Sequence, residues 1–137
     1  FTNCIRAAEA LAQANPKVLL LKQFENPANP AVHYETTGVE IVEQAEGPID
    51  AFVAAPGTGG SFSGIAKRLK ETWPEVKAFA VEPAGAAILS GKPISNHRQQ
   101  GIGDGFVPQN LDISLIDGII TVKDEDALQA SRRLARE

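Results

Sequence analysis

The chain has 137 residues, of which 43% are hydrophobic and 22% charged, as is ordinary for one globular domain with a sizeable core. Its net charge of −4, without any basic run interleaved with aromatics, argues against nucleic-acid binding. No apolar run has the length of a membrane span, and the single cysteine, Cys4, excludes an internal disulfide and favours a reducing, cytoplasmic setting.

The predicted elements alternate between helices and strands. Apolar residues at helical spacing predict a first helix that ends before Pro16, and a continuous apolar run predicts a strand over residues 18–21. Asn29 is predicted to cap a second helix that reaches about Gln44, with a weak point at residues 36–38. Further strands are predicted over residues 49–55, 77–82 and 119–122, and further helices over residues 61–73 and from a cap at Asp124 onward.

This alternation predicts an α/β layered fold with a mostly parallel sheet and helices on both faces. Ligands of such sheets bind beyond the carboxyl ends of the strands. Gln23, the segment 57–61 and the region after Glu82 are therefore expected at one edge. The connection over residues 84–117, with a predicted helical turn at 86–89, is longer than usual and indicates a functional role.

The most informative stretch is the turn Gly-Thr-Gly-Gly-Ser over residues 57–61, which joins a predicted strand to a predicted helix. Glycines let the backbone turn sharply and approach an anion closely. The first amides of a helix lack intrahelical partners, and the helix dipole adds positive charge there. The pattern predicts a phosphate site with added hydroxyls from Thr58 and Ser61. The competing interpretation is a tight connection without a ligand.

Several phosphate ligands can be compared with this loop. A dinucleotide fingerprint needs a glycine at position 62, where Phe62 stands, although Glu82 could reach a ribose. A P-loop is excluded because no Lys-Ser/Thr pair follows the glycines. A loop for S-adenosylmethionine usually follows an acidic residue, which Ala55-Pro56 does not offer. A small phosphate-bearing cofactor fits better.

Further motifs accompany the loop in a fixed order. They occupy residues 21–30, 33–38, 81–83, 97–108 and 124–134. Together with the loop they resemble the Q-Q-F-x-N-P-A-N-P, H-x-x-T-T-G, G-T-G-G-T, V-E-P and H-K-I-Q-G-I-G-A-G-F-I-P segments of the cysteine synthase (O-acetylserine sulfhydrylase) family, whose members are fold-type II pyridoxal-phosphate enzymes. Ser61 replaces a threonine and keeps the hydroxyl, whereas Asp104 stands where small residues are usual.

The resemblance implies a tryptophan synthase β-like fold, with residues 1–16 at the edge of a small domain and residues 17–137 in the large cofactor domain. It implies that Gln23 contacts the substrate α-carboxylate; otherwise Gln23 is a loop glutamine that caps a backbone group. His33 and His97 lack metal-ligand spacing, so no metal site is predicted. The implied ligands of pyridoxal 5′-phosphate are Gly57, Thr58, Gly59, Gly60, Ser61 and Gly101.

The function implied by the resemblance is a β-replacement that forms L-cysteine from O-acetyl-L-serine and sulfide. A cystathionine β-synthase-type reaction, a dinucleotide-dependent oxidoreductase domain and a non-catalytic relative that binds a partner's C-terminal peptide remain alternatives. The family also implies a homodimer and a serine acetyltransferase tail as a partner.

The sequence is expected to be an internal fragment. It has no methionine, and no glycine or proline ends its last predicted helix. The resemblance places the lysine that binds the cofactor before Phe1 and the serine that contacts the pyridine nitrogen after Glu137. We therefore expect no catalytic residue in this chain and no activity from it alone.

Overall fold

A parallel three-stranded sheet lies at the centre of the structure, a computed structural model that describes residues 2–137. The strands are β1 (Ala51–Ala54), β2 (Lys77–Pro83) and β3 (Gly118–Val122), in the order β1-β2-β3. Ala54 pairs with Ala80, and Phe79 pairs with Gly118. The predicted α/β fold with a parallel sheet is confirmed, and all three strands point their carboxyl ends to one edge.

In the part of the chain that the structure describes, a loop without an α-helix joins β2 to β3, and α-helices lie before β1, between β1 and β2 and after β3. They are α1 (Thr2–Ala14), α2 (Ala28–Glu35), α3 (Thr37–Gln44), α4 (Gly60–Thr72) and α5 (Asp124–Leu134). The weak point predicted at residues 36–38 is the break between α2 and α3, where the Thr36 hydroxyl donates to the Val32 carbonyl at 2.7 Å. Within the described residues, no helix combines the length and hydrophobicity that crossing a bilayer requires.

The core lies between the sheet and α4. Phe62 and Ala66 of α4 pack on Ala78 and Ala80 of β2, together with Leu111 from the long loop. Phe62 is fully buried, which contributes about 1.5–3 kcal/mol relative to an exposed side chain. The small alanines of β2 leave room for this ring, so α4 is fixed firmly on the sheet.

Four local predictions are wrong, the first being the cap of α5, which is Lys123 instead of Asp124. Residues 18–21 form no strand in the described part of the chain, and Leu19 and Leu21 are 81% and 70% exposed because no neighbouring strand pairs with them. Pro27, instead of Asn29, occupies the N-cap of α2, since the helix begins two residues earlier. The helical turn in the long loop covers Ala84–Ala86 instead of residues 86–89.

Candidate functional site

The glycine loop lies at the carboxyl edge of the sheet, directly after β1. Gly59 is the N-cap of α4 and has a φ of +83°, a left-handed backbone conformation that residues with a Cβ rarely adopt. The Gly59 carbonyl accepts the amide of Ser63 at 2.9 Å and starts the helix. The loop therefore ends with the positive end of the α4 dipole facing the edge of the sheet.

Unpaired amides cluster at this helix end. Gly60 N donates weakly to Thr58 Oγ1 at 3.5 Å. The other amides of the loop and first turn donate to no acceptor among residues 2–137; they belong to Gly57, Thr58, Gly59, Ser61 and Phe62. A set of N–H groups without hydrogen-bond acceptors at a helix N-terminus is a binding site for an anion.

The Thr58 hydroxyl is oriented by its neighbours. Its oxygen accepts from Asn29 Nδ2 at 2.9 Å and from the Gly60 amide. Because both interactions use the oxygen as acceptor, the hydroxyl hydrogen is left to donate to a ligand. Ser61 is exposed beside it, and its side chain bonds no other described residue.

The loop has glycines where other backbone segments approach closely. A Cβ at position 57 would lie 2.5 Å from the Gly101 carbonyl oxygen, and a Cβ at Gly59 would lie 2.6–2.7 Å from Leu111. A Cβ at Gly60 would overlap the Asn29 side chain. The structure thus brings together the predicted loop and Gly101. Gly101 itself has open space where a side chain would project.

The main chain of Gln23 is held at the same edge of the sheet by two hydrogen bonds. Its carbonyl accepts from Asn29 Nδ2 and from Asn110 Nδ2, each at 2.9 Å. The Gln23 side chain is exposed and bonds to no other described residue, so it does not cap a backbone group. The backbone is therefore held while the amide group stays available to a ligand.

A cavity of about 460 Å³ opens beside Gln23. Its walls are mainly apolar and come from α1, from the segment 20–25 and from Phe106. The volume falls within the range of small-molecule sites. The residues 57–61 do not line it, so the cavity adjoins the anion site instead of containing it.

Two asparagines of this site were not predicted as functional residues. The sequence predicts Asn29 only as a helix cap, yet its side chain bridges the Gln23 carbonyl and the Thr58 hydroxyl. Asn110 is buried, and its backbone amide donates to the Phe24 carbonyl at 3.1 Å. The one available signal was the unusual length of the loop that carries Asn110.

Other candidate residues have structural roles. Glu82 is buried and accepts from the amides of Leu89 and Ser90 at 2.9 and 3.1 Å, so its carboxylate holds the start of the long loop. Nδ1 of His33 bonds the Thr37 hydroxyl, and Nε2 of His97 lies 3.3 Å from a backbone carbonyl. Among the described residues, no group of three His, Cys, Asp or Glu is arranged to hold a metal.

Comparison with known proteins defines the class. The sequence profile of the family described as "Pyridoxal-phosphate dependent enzyme" matches residues 1–137, so the chain belongs to that family. The cofactor of the family carries a phosphate monoester, and the unpaired amides over residues 57–62 fit that group. The predicted family resemblance and cofactor are confirmed.

Several individual proteins are also similar to this chain in sequence or in structure. Cysteine synthase 3 of Caenorhabditis elegans is 44% identical over 133 residues, covering 97% of this chain and 40% of the relative. A cysteine synthase of Staphylococcus aureus is 48% identical over 117 residues, covering 85% and 38%. A hydrogen sulfide-producing enzyme of Fusobacterium nucleatum superposes with a TM-score of 0.91 at 42% identity, covering 98% and 45%. The chain spans about 40% of the length of the curated relatives.

Proposed function

We propose that this chain is part of an enzyme that forms L-cysteine from O-acetyl-L-serine and sulfide by β-replacement. The observation that carries the proposal is the cluster of unpaired amides over residues 57–62, which lies beside Gln23 and Gly101. The chemistry that pyridoxal phosphate supplies is withdrawal of electrons from the substrate α-carbon, which allows acetate to leave. The names of the curated relatives support the product.

The glycine loop holds the cofactor phosphate in this proposal. The amides of residues 57–62 and the hydroxyls of Thr58 and Ser61 donate to phosphate oxygens, with the α4 dipole aligned. Each hydrogen bond to a charged group contributes about 1.5–3 kcal/mol, so a few of them retain the cofactor.

Gln23 and Gly101 act on the substrate side. The Gln23 amide donates to the substrate α-carboxylate from a backbone that Asn29 and Asn110 hold in place. Gly101 lines the cofactor side of the cleft, where a side chain would occupy the open space next to its Cα. No residue of this chain is assigned to proton transfer, so the chain alone is proposed to be inactive.

The remaining parts of the proposal concern the whole protein. Residues 1–16 belong to the edge of a small domain and residues 17–137 to the large cofactor domain. The enzyme is a cytoplasmic homodimer, and the C-terminal tail of serine acetyltransferase binds the same cleft. The family resemblance supports the domain division, the dimer and the bound tail, and the single cysteine supports the cytoplasmic setting.

Two alternatives lead to different expectations. A cystathionine β-synthase-type reaction would use homocysteine in place of sulfide at the same cofactor site. A dinucleotide-binding oxidoreductase is disfavoured by Phe62, because this position needs a glycine and the Phe62 ring is buried 5.6 Å from the Phe52 ring. The family match also supports a phosphate monoester ligand.

The experiment uses the full-length protein loaded with its cofactor. We expect cysteine to form from O-acetylserine and sulfide, and Gln23→Ala to raise the KM for O-acetylserine about tenfold through loss of one bond to a carboxylate. Gln129→Ala, which changes an exposed glutamine of α5 that does not line the cavity, is the control and should leave KM unchanged. Turnover with homocysteine alone would favour the alternative reaction, and a protein that binds no pyridoxal phosphate would refute the proposal.

A further inference from the structure

The segment that carries Gly101 lacks backbone support of its own. Over residues 97–103, no amide donates to another backbone group of the described chain. Gly101 and Gly103 have φ values of +84° and +71°. Because glycine has the greatest backbone freedom of all residues, these two positions do not fix the segment by themselves. Nevertheless the Gly101 carbonyl lies directly against Gly57 of the phosphate loop. Side chains must therefore hold the segment in place.

Asp124, the first residue of α5, provides most of this support. Its Oδ2 accepts the Arg98 amide at 2.8 Å, and its Oδ1 accepts Gln99 Nε2 at 3.1 Å. Gln99 Nε2 also donates to the Val122 carbonyl at 2.9 Å, at the end of β3. Both carboxylate oxygens thus bind the segment two and three residues before Gly101. The prediction that Asp124 caps α5 is wrong, because Lys123 is the N-cap.

The electrostatics favour the ionised form that these contacts need. The hydrogen bond from Gln99 lowers the pKa of Asp124 below its usual value; partial burial opposes this, while the Arg98 amide and the charges of Arg98 and His97 assist it. The Arg98 guanidinium also contacts Asp124 at 3.7 Å and Glu125 at 3.0 Å. Its side chain is 61% exposed, so these ion pairs contribute little.

We propose that Asp124 is a positioning residue of the cofactor site, which holds Arg98 and Gln99 on the start of α5 and so keeps Gly101 against the phosphate loop. The inference rests on the proposed function, because the wall that Gly101 forms is the wall that faces the cofactor. The competing explanation is that Asp124 only stabilises α5, since a carboxylate in the first turn interacts favourably with the helix dipole.

Asp126 supplies a matched control for this explanation. It lies in the same first turn of α5, is exposed, and its side chain bonds to no other described residue. Asp124→Asn and Asp126→Asn each remove one negative charge from the helix N-terminus, but only the first changes a contact to residues 98 and 99. Asp124→Ala removes that contact altogether.

The test uses the full-length protein with bound pyridoxal phosphate. We expect Asp124→Ala to change the visible circular dichroism of the cofactor and to speed its release about tenfold, as loss of hydrogen bonds to a charged group implies. Asp124→Asn, which keeps one acceptor oxygen, should give a smaller effect, and Asp126→Asn none. Hydrogen exchange of the Arg98 amide should accelerate strongly in Asp124→Ala, less in Asp124→Asn and not in Asp126→Asn.

The outcomes separate this inference from the proposed function. Unchanged exchange and unchanged cofactor spectra in Asp124→Ala would overturn it, as would equal effects from Asp126→Asn. If the wild-type protein held no cofactor, the proposed function would fail, whereas the exchange measurement would still test the support of the segment. If Asp124→Ala did not fold, Asp124→Asn and Gln99→Ala would decide by the same two measurements.

Discussion

Two helices of equal length have opposite surroundings in this molecule. α1 and α4 each contain 13 residues, and both have their apolar residues at helical spacing. In α4, seven residues from Gly60 to Leu69 are buried, whereas in the described part of α1 none is, and Ile5 and Leu11 remain 38% and 58% exposed. A periodic pattern therefore predicts a helix without predicting what covers it.

The greater burial of α4 arises from its glycines as well as from its apolar residues. Gly60 and Gly64 let α2 approach α4 so closely that a Cβ at position 64 would overlap the Pro30 carbonyl and lie 2.7 Å from the Tyr34 amide. This close packing fixes the N-terminus of α4, where the unpaired amides lie. The anion site thus belongs to the most firmly packed helix, and the apolar cavity belongs to the exposed α1.

The largest expected effect comes from Gly59→Ala in the full-length protein. The left-handed conformation costs an alanine about 1–2 kcal/mol, and the new Cβ would also collide with the Leu111 backbone. The start of α4 must then shift, so we expect pyridoxal phosphate to be retained at least tenfold more weakly. The measurement is the cofactor dissociation constant, determined with the temperature of unfolding.

Gly91→Ala is the matched control for Gly59. Gly91 also has a positive φ, +71°, but a Cβ there would meet no atom within 4 Å. It should show the backbone strain alone, with normal cofactor binding. Equal loss of cofactor in both variants would contradict a special role for the phosphate loop.

Gly64→Ala tests the packing side of the comparison. Alanine in place of a helical glycine usually stabilises a protein by about 0.5–1 kcal/mol. Here the sign should reverse, because the Cβ meets rigid backbone of α2; we expect a loss of about 1–3 kcal/mol in the free energy of unfolding. Chemical denaturation of the full-length protein measures it. An unchanged or increased stability would show that α2 can move away from α4.

Much of the fold follows from the sequence because its signals are local. β1, β2 and β3 fall on the apolar runs predicted at residues 49–55, 77–82 and 119–122. The run at 18–21 is also apolar but forms no strand, because a strand needs a neighbour to bond and none of the described residues provides one. Pairing is a long-range property that an apolar run does not contain.

The candidate site shows the same difference between local signals and long-range contacts. The glycine loop could be predicted because its glycines and hydroxyls are adjacent in sequence. The asparagines could not, because Asn29 contacts Thr58 across 29 residues and Asn110 contacts Gln23 across 87 residues. The roles of Gln23 and Gly101 came from the family resemblance and remain predictions, although the structure places both residues beside the loop.

Asn29→Ala tests whether these long-range contacts support the site. The variant loses the bonds to the Gln23 carbonyl and the Thr58 hydroxyl, each worth about 0.5–1.5 kcal/mol. We expect cofactor affinity to fall about three- to tenfold. Asn26→Ala, whose bonds stay within its own turn, is the control and should leave cofactor affinity unchanged. An effect of equal size in both variants would show only general loosening of the loop.

The smallest effect is expected far from the site, where Asp117 joins α4 to β2. Its Oδ2 accepts Lys70 Nζ at 2.5 Å and the Ala78 amide at 2.7 Å, and these bonds lower the pKa of Asp117, that from Lys70 most. Because the folded-state pKa is depressed, the stabilisation is present above the unfolded-state pKa and is lost as pH falls through the folded-state value.

Asp117→Asn should therefore remove part of the acid dependence of stability below about pH 4. At neutral pH the loss should stay under about 1 kcal/mol, because solvent screens this partly exposed pair. Thermal unfolding of the full-length protein across acidic pH measures both, with Glu75→Gln as a control at an exposed carboxylate that bonds no other described residue. Parallel pH profiles for Asp117→Asn and the wild type would show that the contact between α4 and β2 does not depend on this charge.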